Sequence, residues 1–113
     1  MVTLIGMGSG SWEALSVQAQ DAVRRAGLVF GAKRLLAGLP LECTARQFAL
    51  YQPAEILETL AQAPGQDAAV LYSGDTGFYS GASGLLTPLR ALGIPARVYP
   101  GVSSIQLLAA ALG

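Results

Sequence analysis

The chain contains no histidine and a single cysteine, Cys43, in 113 residues. Without an imidazole it lacks the side chain that most often serves as a general base near neutral pH, and the commonest metal ligand as well. A zinc site or a Ser-His-Asp hydrolase built within this chain is therefore excluded. One thiol cannot close an internal disulfide, which fits a reducing compartment. Charge is sparse and balanced. Seven basic and seven acidic residues leave a formal net charge of zero, so the electrostatic footprint of a nucleic-acid or anionic-membrane binder is missing. Long apolar runs are missing too: the opening MVTLIGMGSGSW has no basic flank and is too short in its apolar part for a signal peptide or a membrane span. These absences point to a cytoplasmic protein with no nucleic-acid and no membrane partner.

What is present is apolar and periodic. With 52% hydrophobic residues, a chain of this length supports one compact core and no independent second one. Short apolar runs alternate with segments of helical period, the pattern of βα units around a mostly parallel sheet. Strands are expected at 2–6, 28–31, 46–50, 68–72 and 96–99. The run AAVLY at 68–72 is apolar at every position, as a central parallel strand buried on both faces requires. Helices are expected from a cap at Ser16 to Gly27, over 32–37, from Pro53 to the Pro64-Gly65 break, over 84–92 and over 103–112. The fold class is thus α/β, an about five-stranded parallel sheet with flanking helices, in one domain spanning 1–113.

Three glycine- or serine-rich stretches follow strands: GMGSGS at 6–11, SGDTGFYSG at 73–81 and PGVSS at 100–104. In open α/β sheets ligands bind beyond the carboxyl ends of the strands, so these stretches form a candidate pocket floor. The first is not a dinucleotide fingerprint, because Ser11 stands where glycine or alanine is needed, and LVFGA at 28–32 supplies no carboxylate for a ribose. No Gly-Lys-Ser/Thr follows, which excludes a Walker phosphate loop. A glycine turn that simply lets strand and helix pack closely is the plainer alternative. In the second stretch, Gly74, Gly77 and Gly81 let backbone atoms approach a ligand. Asp75 is either part of that site or a turn residue and cap, and Phe78 and Tyr79 either cover a flat ring or join the core. Ser103 or Ser104 caps the last helix and can face a ligand as well.

Taken in order, IGMGSGS, LYSGDTGFYSGA and VYPGVSSIQLLAAALG resemble the tetrapyrrole methylases of cobalamin synthesis, in the subgroup that methylates carbon 5 of precorrin-6Y. The similarity covers the whole chain, and SGD followed by proline or threonine and then GFY is its most specific element. The resemblance implies an S-adenosyl-L-methionine-dependent C-methyltransferase acting on a precorrin, releasing S-adenosyl-L-homocysteine, with no metal and no covalent intermediate. It implies a homodimer of full-length chains, with the cofactor in a cleft between two α/β domains. Carried over by position, Gly74, Asp75, Phe78, Tyr79, Ser103 and Ser104 would hold the cofactor, and Met7, Gly8, Ser9 and Gly10 would face the tetrapyrrole. Thr76 stands where the wider superfamily often has proline. Family members continue for about another domain, so a chain ending at Gly113 is expected to be the N-terminal domain, inactive alone. Other branches of the superfamily and a stand-alone module for a nucleotide-like ligand are the competing readings. The three stretches contain no lysine or arginine, which favours a ligand without phosphate.

Overall fold

The computed structural model describes residues 1–7, 12–72 and 76–99, with the backbone alone at 14 and 76–83. Five strands are present among them: β1 (Val2–Gly6), β2 (Leu28–Phe30), β3 (Arg46–Phe48), β4 (Ala68–Tyr72) and β5 (Ala96–Tyr99). The helices are α1 (Val17–Arg25), α2 (Lys33–Leu36), α3 (Pro53–Ala61) and α4 (Thr76–Ala91), and a 3-10 turn covers Trp12–Ala14. The sheet order is β3-β2-β4-β1-β5, and every pairing is parallel.

Hydrophobic alternation assigns each helix to a face. On one face Leu4, Phe30 and Val70 meet Ile56 and Leu60 of α3 and Leu85 and Leu89 of α4. On the other, Ile5, Val29 and Leu71 meet Ala19 and Val23 of α1 and Leu35 and Leu36 of α2. The right-handed crossover rule explains the division. From β1 to β2 and on to β3 the chain moves toward one edge of the sheet, and the connections from β3 to β4 and from β4 to β5 move toward the other. Opposite directions of travel at one handedness require opposite faces. β1 and β4 are buried at all five positions, as central strands covered on both sides must be.

Local chemistry sets the element ends. Ser16 caps α1, its Oγ accepting the Ala19 N–H at 3.2 Å, and Pro53 opens α3 where its missing N–H leaves no helical bond unmade. β1, β4 and β5 begin and end where the sequence predicts. β2, β3 and α2 are shorter than the expected 28–31, 46–50 and 32–37. The largest difference is at α4, which begins at Thr76 and not at 84. The expected loop over 76–81, Phe78 and Tyr79 included, is therefore helical backbone. Glycine disfavours a helix interior by roughly 1 kcal/mol, and three of them in 77–84 imitate a loop. Packing of α4 on β4, β5 and α3 overrides that propensity. The 3-10 turn at Trp12 has no counterpart among the expected elements, and the expected helix over 103–112 lies outside the described residues.

Candidate functional site

β4, β1 and β5 are neighbours, and their carboxyl ends are level. Gly6 pairs with Tyr72, and Ile5 with Tyr99. The last rung is the Met7 N–H donating to the Tyr72 carbonyl at 2.7 Å. Beyond it the two central strands part, β1 leading to α1 on one face and β4 to α4 on the other. That divergence is a topological switch point, where an open parallel sheet forms its ligand crevice. The three motif-bearing stretches follow these three strands.

The walls below the crevice are apolar. Met7 is 1% exposed and packs with Ile5 and Leu71; its side chain lies in the core beneath the strand ends. Tyr72 is buried on the opposite face, and burial pushes its phenol up to about 12. It is therefore neutral at physiological pH. At the end of β5, Tyr99 packs against the α1 and α2 face, and its Oη accepts from Arg97 Nη1 at 3.1 Å. Gly31, just past β2, is pressed onto β4: a Cβ there would stand 3.2 Å from Leu71 Cβ and 3.3 Å from its carbonyl oxygen.

Downstream of the first stretch, Trp12 is held from two sides. Its carbonyl accepts from Gln20 Nε2 at 3.0 Å, and the Arg24 guanidinium lies 5.4 Å from the centre of its ring. Arg24 is gripped in turn by Glu42 Oε1, at 2.9 Å and 3.0 Å. Cys43 is buried beside this cluster; burial first and Glu42 second push its thiol up, which makes it a poor nucleophile. Among the described residues no group of three His, Cys, Asp or Glu side chains converges as a metal site. An apolar cavity of about 320 Å³, lined by Leu57, Leu60, Leu92, Ile94 and Pro95 among others, lies at the opposite end of the sheet.

Of the residues singled out from sequence, Gly74, Asp75, Ser103, Ser104, Gly8, Ser9 and Gly10 lie outside the described residues. Phe78 and Tyr79 fall in the first turn of α4. Asp75 directly precedes that helix in sequence, and Met7 is in the core. Sequence reasoning missed Gly31 and the Trp12, Gln20 and Arg24 contacts. For Gly31 the signal was present, a glycine closing a strand, whereas the Arg24 contact with Glu42 joins separate elements and leaves no local trace.

No helix among the described residues is long and apolar enough to cross a membrane. The precorrin-4 C(11)-methyltransferase of Pseudomonas aeruginosa is 35% identical to this chain over 121 residues, 99% of the chain and 47% of that protein. The cobalt-precorrin-7 C(5)-methyltransferase of Salmonella typhimurium is 33% identical over 115 residues, 100% of the chain and 55% of that protein. The chain thus spans about half the length of the curated relatives it matches. Among solved structures, the uroporphyrin-III C-methyl transferase of Thermus thermophilus complexed with S-adenosyl homocysteine superposes with a TM-score of 0.65 at 28% identity. That match covers 91% of this chain and 45% of the other. The family model for tetrapyrrole (corrin/porphyrin) methylases matches residues 1–113, and the chain belongs to that family.

Proposed function

We propose that the chain is the N-terminal α/β half of an S-adenosyl-L-methionine-dependent C-methyltransferase acting on a precorrin in cobalamin biosynthesis. The observation that carries this is the common level of the carboxyl ends of β4, β1 and β5, the three strands that the glycine- or serine-rich stretches follow in sequence. A second half would complete the cofactor cleft and the substrate trough, so the isolated chain would not methylate. The full-length enzyme would act as a homodimer in the cytoplasm, with neither nucleic acid nor membrane as a partner.

Gly74, Asp75, Phe78, Tyr79, Ser103 and Ser104 would hold the cofactor. The first loop, Gly8, Ser9 and Gly10 above the buried Met7, would face the tetrapyrrole. When bound, the cofactor supplies a sulfonium methyl that is already activated for transfer to carbon. The chain's residues then have to orient, bring near and exclude water, which is where the large gains of proximity arise. The apolar core under the crevice and the neutral Tyr72 suit that task.

On the string SGDTGFYSGA we place the methylated carbon at C5. Methylation at C11 is the second reading, favoured by the 35% identity to the Pseudomonas enzyme. Calorimetric titration with S-adenosylhomocysteine tests the common ground. Saturable binding to the full-length protein, weakened by Asp75→Ala and not matched by ATP, is expected. No heat from folded full-length protein would refute the assignment. Turnover of a precorrin-7 against a precorrin-4 substrate separates C5 from C11.

A further inference from the structure

The cations of this chain are put to unequal use. Arg24 is taken up by Glu42 and Asp21 on the outside of α1. Lys33 and Arg34, the first two residues of α2, are exposed and form no ion pair among the described residues. Their place is nevertheless fixed. The next two residues, Leu35 and Leu36, are buried in the core, and just ahead of them the Gly31 N–H donates to the Phe48 carbonyl at 3.2 Å. α2 packs on β4, so this pair of charges stands beside the carboxyl end of that strand.

Arg97 is the counterpart across the sheet. It is exposed on the edge strand β5, and its bond to the Tyr99 hydroxyl draws the guanidinium toward the carboxyl end of the strand. Tyr99 belongs to the face covered by α1 and α2, and Arg97, two residues earlier on the same strand, shares that face. Lys33, Arg34 and Arg97 therefore flank one end of one face. In the order β2-β4-β1-β5, β2 and β5 are separated by three strand spacings, about 14 Å. Between them lie the strand ends whose following stretches contain no lysine or arginine. Glu13, Asp75 and Glu55, in the first turn of α3, are acidic residues that sequence order assigns to this end, Glu55 opening a helix on the opposite face.

A neutral centre between cationic flanks suits a broad ring with acidic groups at its periphery. A single phosphate or a nucleotide tail would reach one flank only. We propose that Lys33, Arg34 and Arg97 form a rim that takes the peripheral carboxylates of the tetrapyrrole while the neutral centre holds the cofactor; this rests on the methyltransferase assignment above. Guanidinium groups bind carboxylates in paired hydrogen bonds, so Arg34 and Arg97 orient the ring as well as attract it.

The test uses the full-length protein and uroporphyrin, a fluorescent ring with eight carboxylates, as the probe. The triple variant Lys33→Gln, Arg34→Gln, Arg97→Gln is expected to weaken uroporphyrin binding roughly tenfold, the sum of three exposed charge contacts. S-adenosylhomocysteine affinity and the melting temperature should stay unchanged. The charge-keeping variant Lys33→Arg, Arg34→Lys, Arg97→Lys should bind uroporphyrin more tightly than the glutamine variant and less tightly than the unaltered protein, since lysine keeps the charge and loses the paired bonds; binding no tighter than that of the glutamine variant would overturn the role of charge. Unshifted uroporphyrin binding in the triple variant, with S-adenosylhomocysteine still bound, would overturn the rim alone. A loss shared by S-adenosylhomocysteine or by the melting temperature would overturn it too, as a structural effect. Failure of S-adenosylhomocysteine to bind the unaltered protein would instead overturn the methyltransferase assignment, and the rim with it.

Discussion

The two ends of the sheet are closed in different ways. At the amino ends of the strands, the chain ties itself to itself: Val2 N–H donates to the Pro95 carbonyl at 2.9 Å, Ala68 N–H to Met1 at 3.0 Å and Gly27 N–H to Asp67 at 2.8 Å. Tight turns through Gly65 and Gly93, with φ of 81° and 72°, serve that end. At the carboxyl ends the central strands separate after one rung, Met7 to Tyr72. The contrast shows a division of labour. Backbone groups satisfied internally confer stability at one end, while the carboxyl end is the one at which open parallel sheets bind ligands.

Three substitutions sharpen that division. Leu89, fully buried in α4 and tied through its carbonyl to Ile94, supports the amino end. Leu89→Ala should cost about 2–5 kcal/mol in denaturant unfolding, with S-adenosylhomocysteine affinity of the folded fraction unaltered. A parallel loss of affinity would show that the two ends are coupled. Tyr72, at the carboxyl end, carries a pH signature. An unfolded tyrosine ionises near 10, the native one at about 12, so the unfolded state gives up a proton that the native state keeps. The stabilising contribution is complete below pH 10 and is lost as the pH rises through 12. With 1.36 kcal/mol per pK unit the loss approaches about 3 kcal/mol, and Tyr72→Phe should flatten that part of the stability profile. The smallest effect belongs to Gly93→Ala. There is open space around the position, but its positive φ strains any side chain, at a cost of roughly 1 kcal/mol in the melting transition and none in binding.

The sheet was legible because its strands carry unmixed signals. AAVLY and VTLIG could be placed to the residue, and Ser16 announced α1 through cap chemistry. α4 was misjudged because Gly77, Gly81 and Gly84 speak locally for a loop, whereas the packing that makes the segment helical comes from β4, β5 and α3. The candidate site was legible as three stretches after strands and as one expected pocket floor. Which strands stand side by side was not, because β4 lies between β2 and β1, a fact of strand order that no local pattern encodes. The cationic flanks were hidden for the same reason, since Arg34 and Arg97 are distant in sequence and are set on either side of one end only by the strand order.

That strand order also governs how the molecule is made. β1 precedes the other four strands in sequence, yet its partners are β4 and β5, with Val2 pairing to Ala68 and to Ala96. β2 and β3 can pair with each other early, but the centre of the sheet has to wait for the far end of the chain. Such long-range pairing slows folding because loop closure precedes its reward. β1 is therefore completed late, and its segment VTLIG, apolar and without strand partners until β4 and β5 follow, needs protection during synthesis.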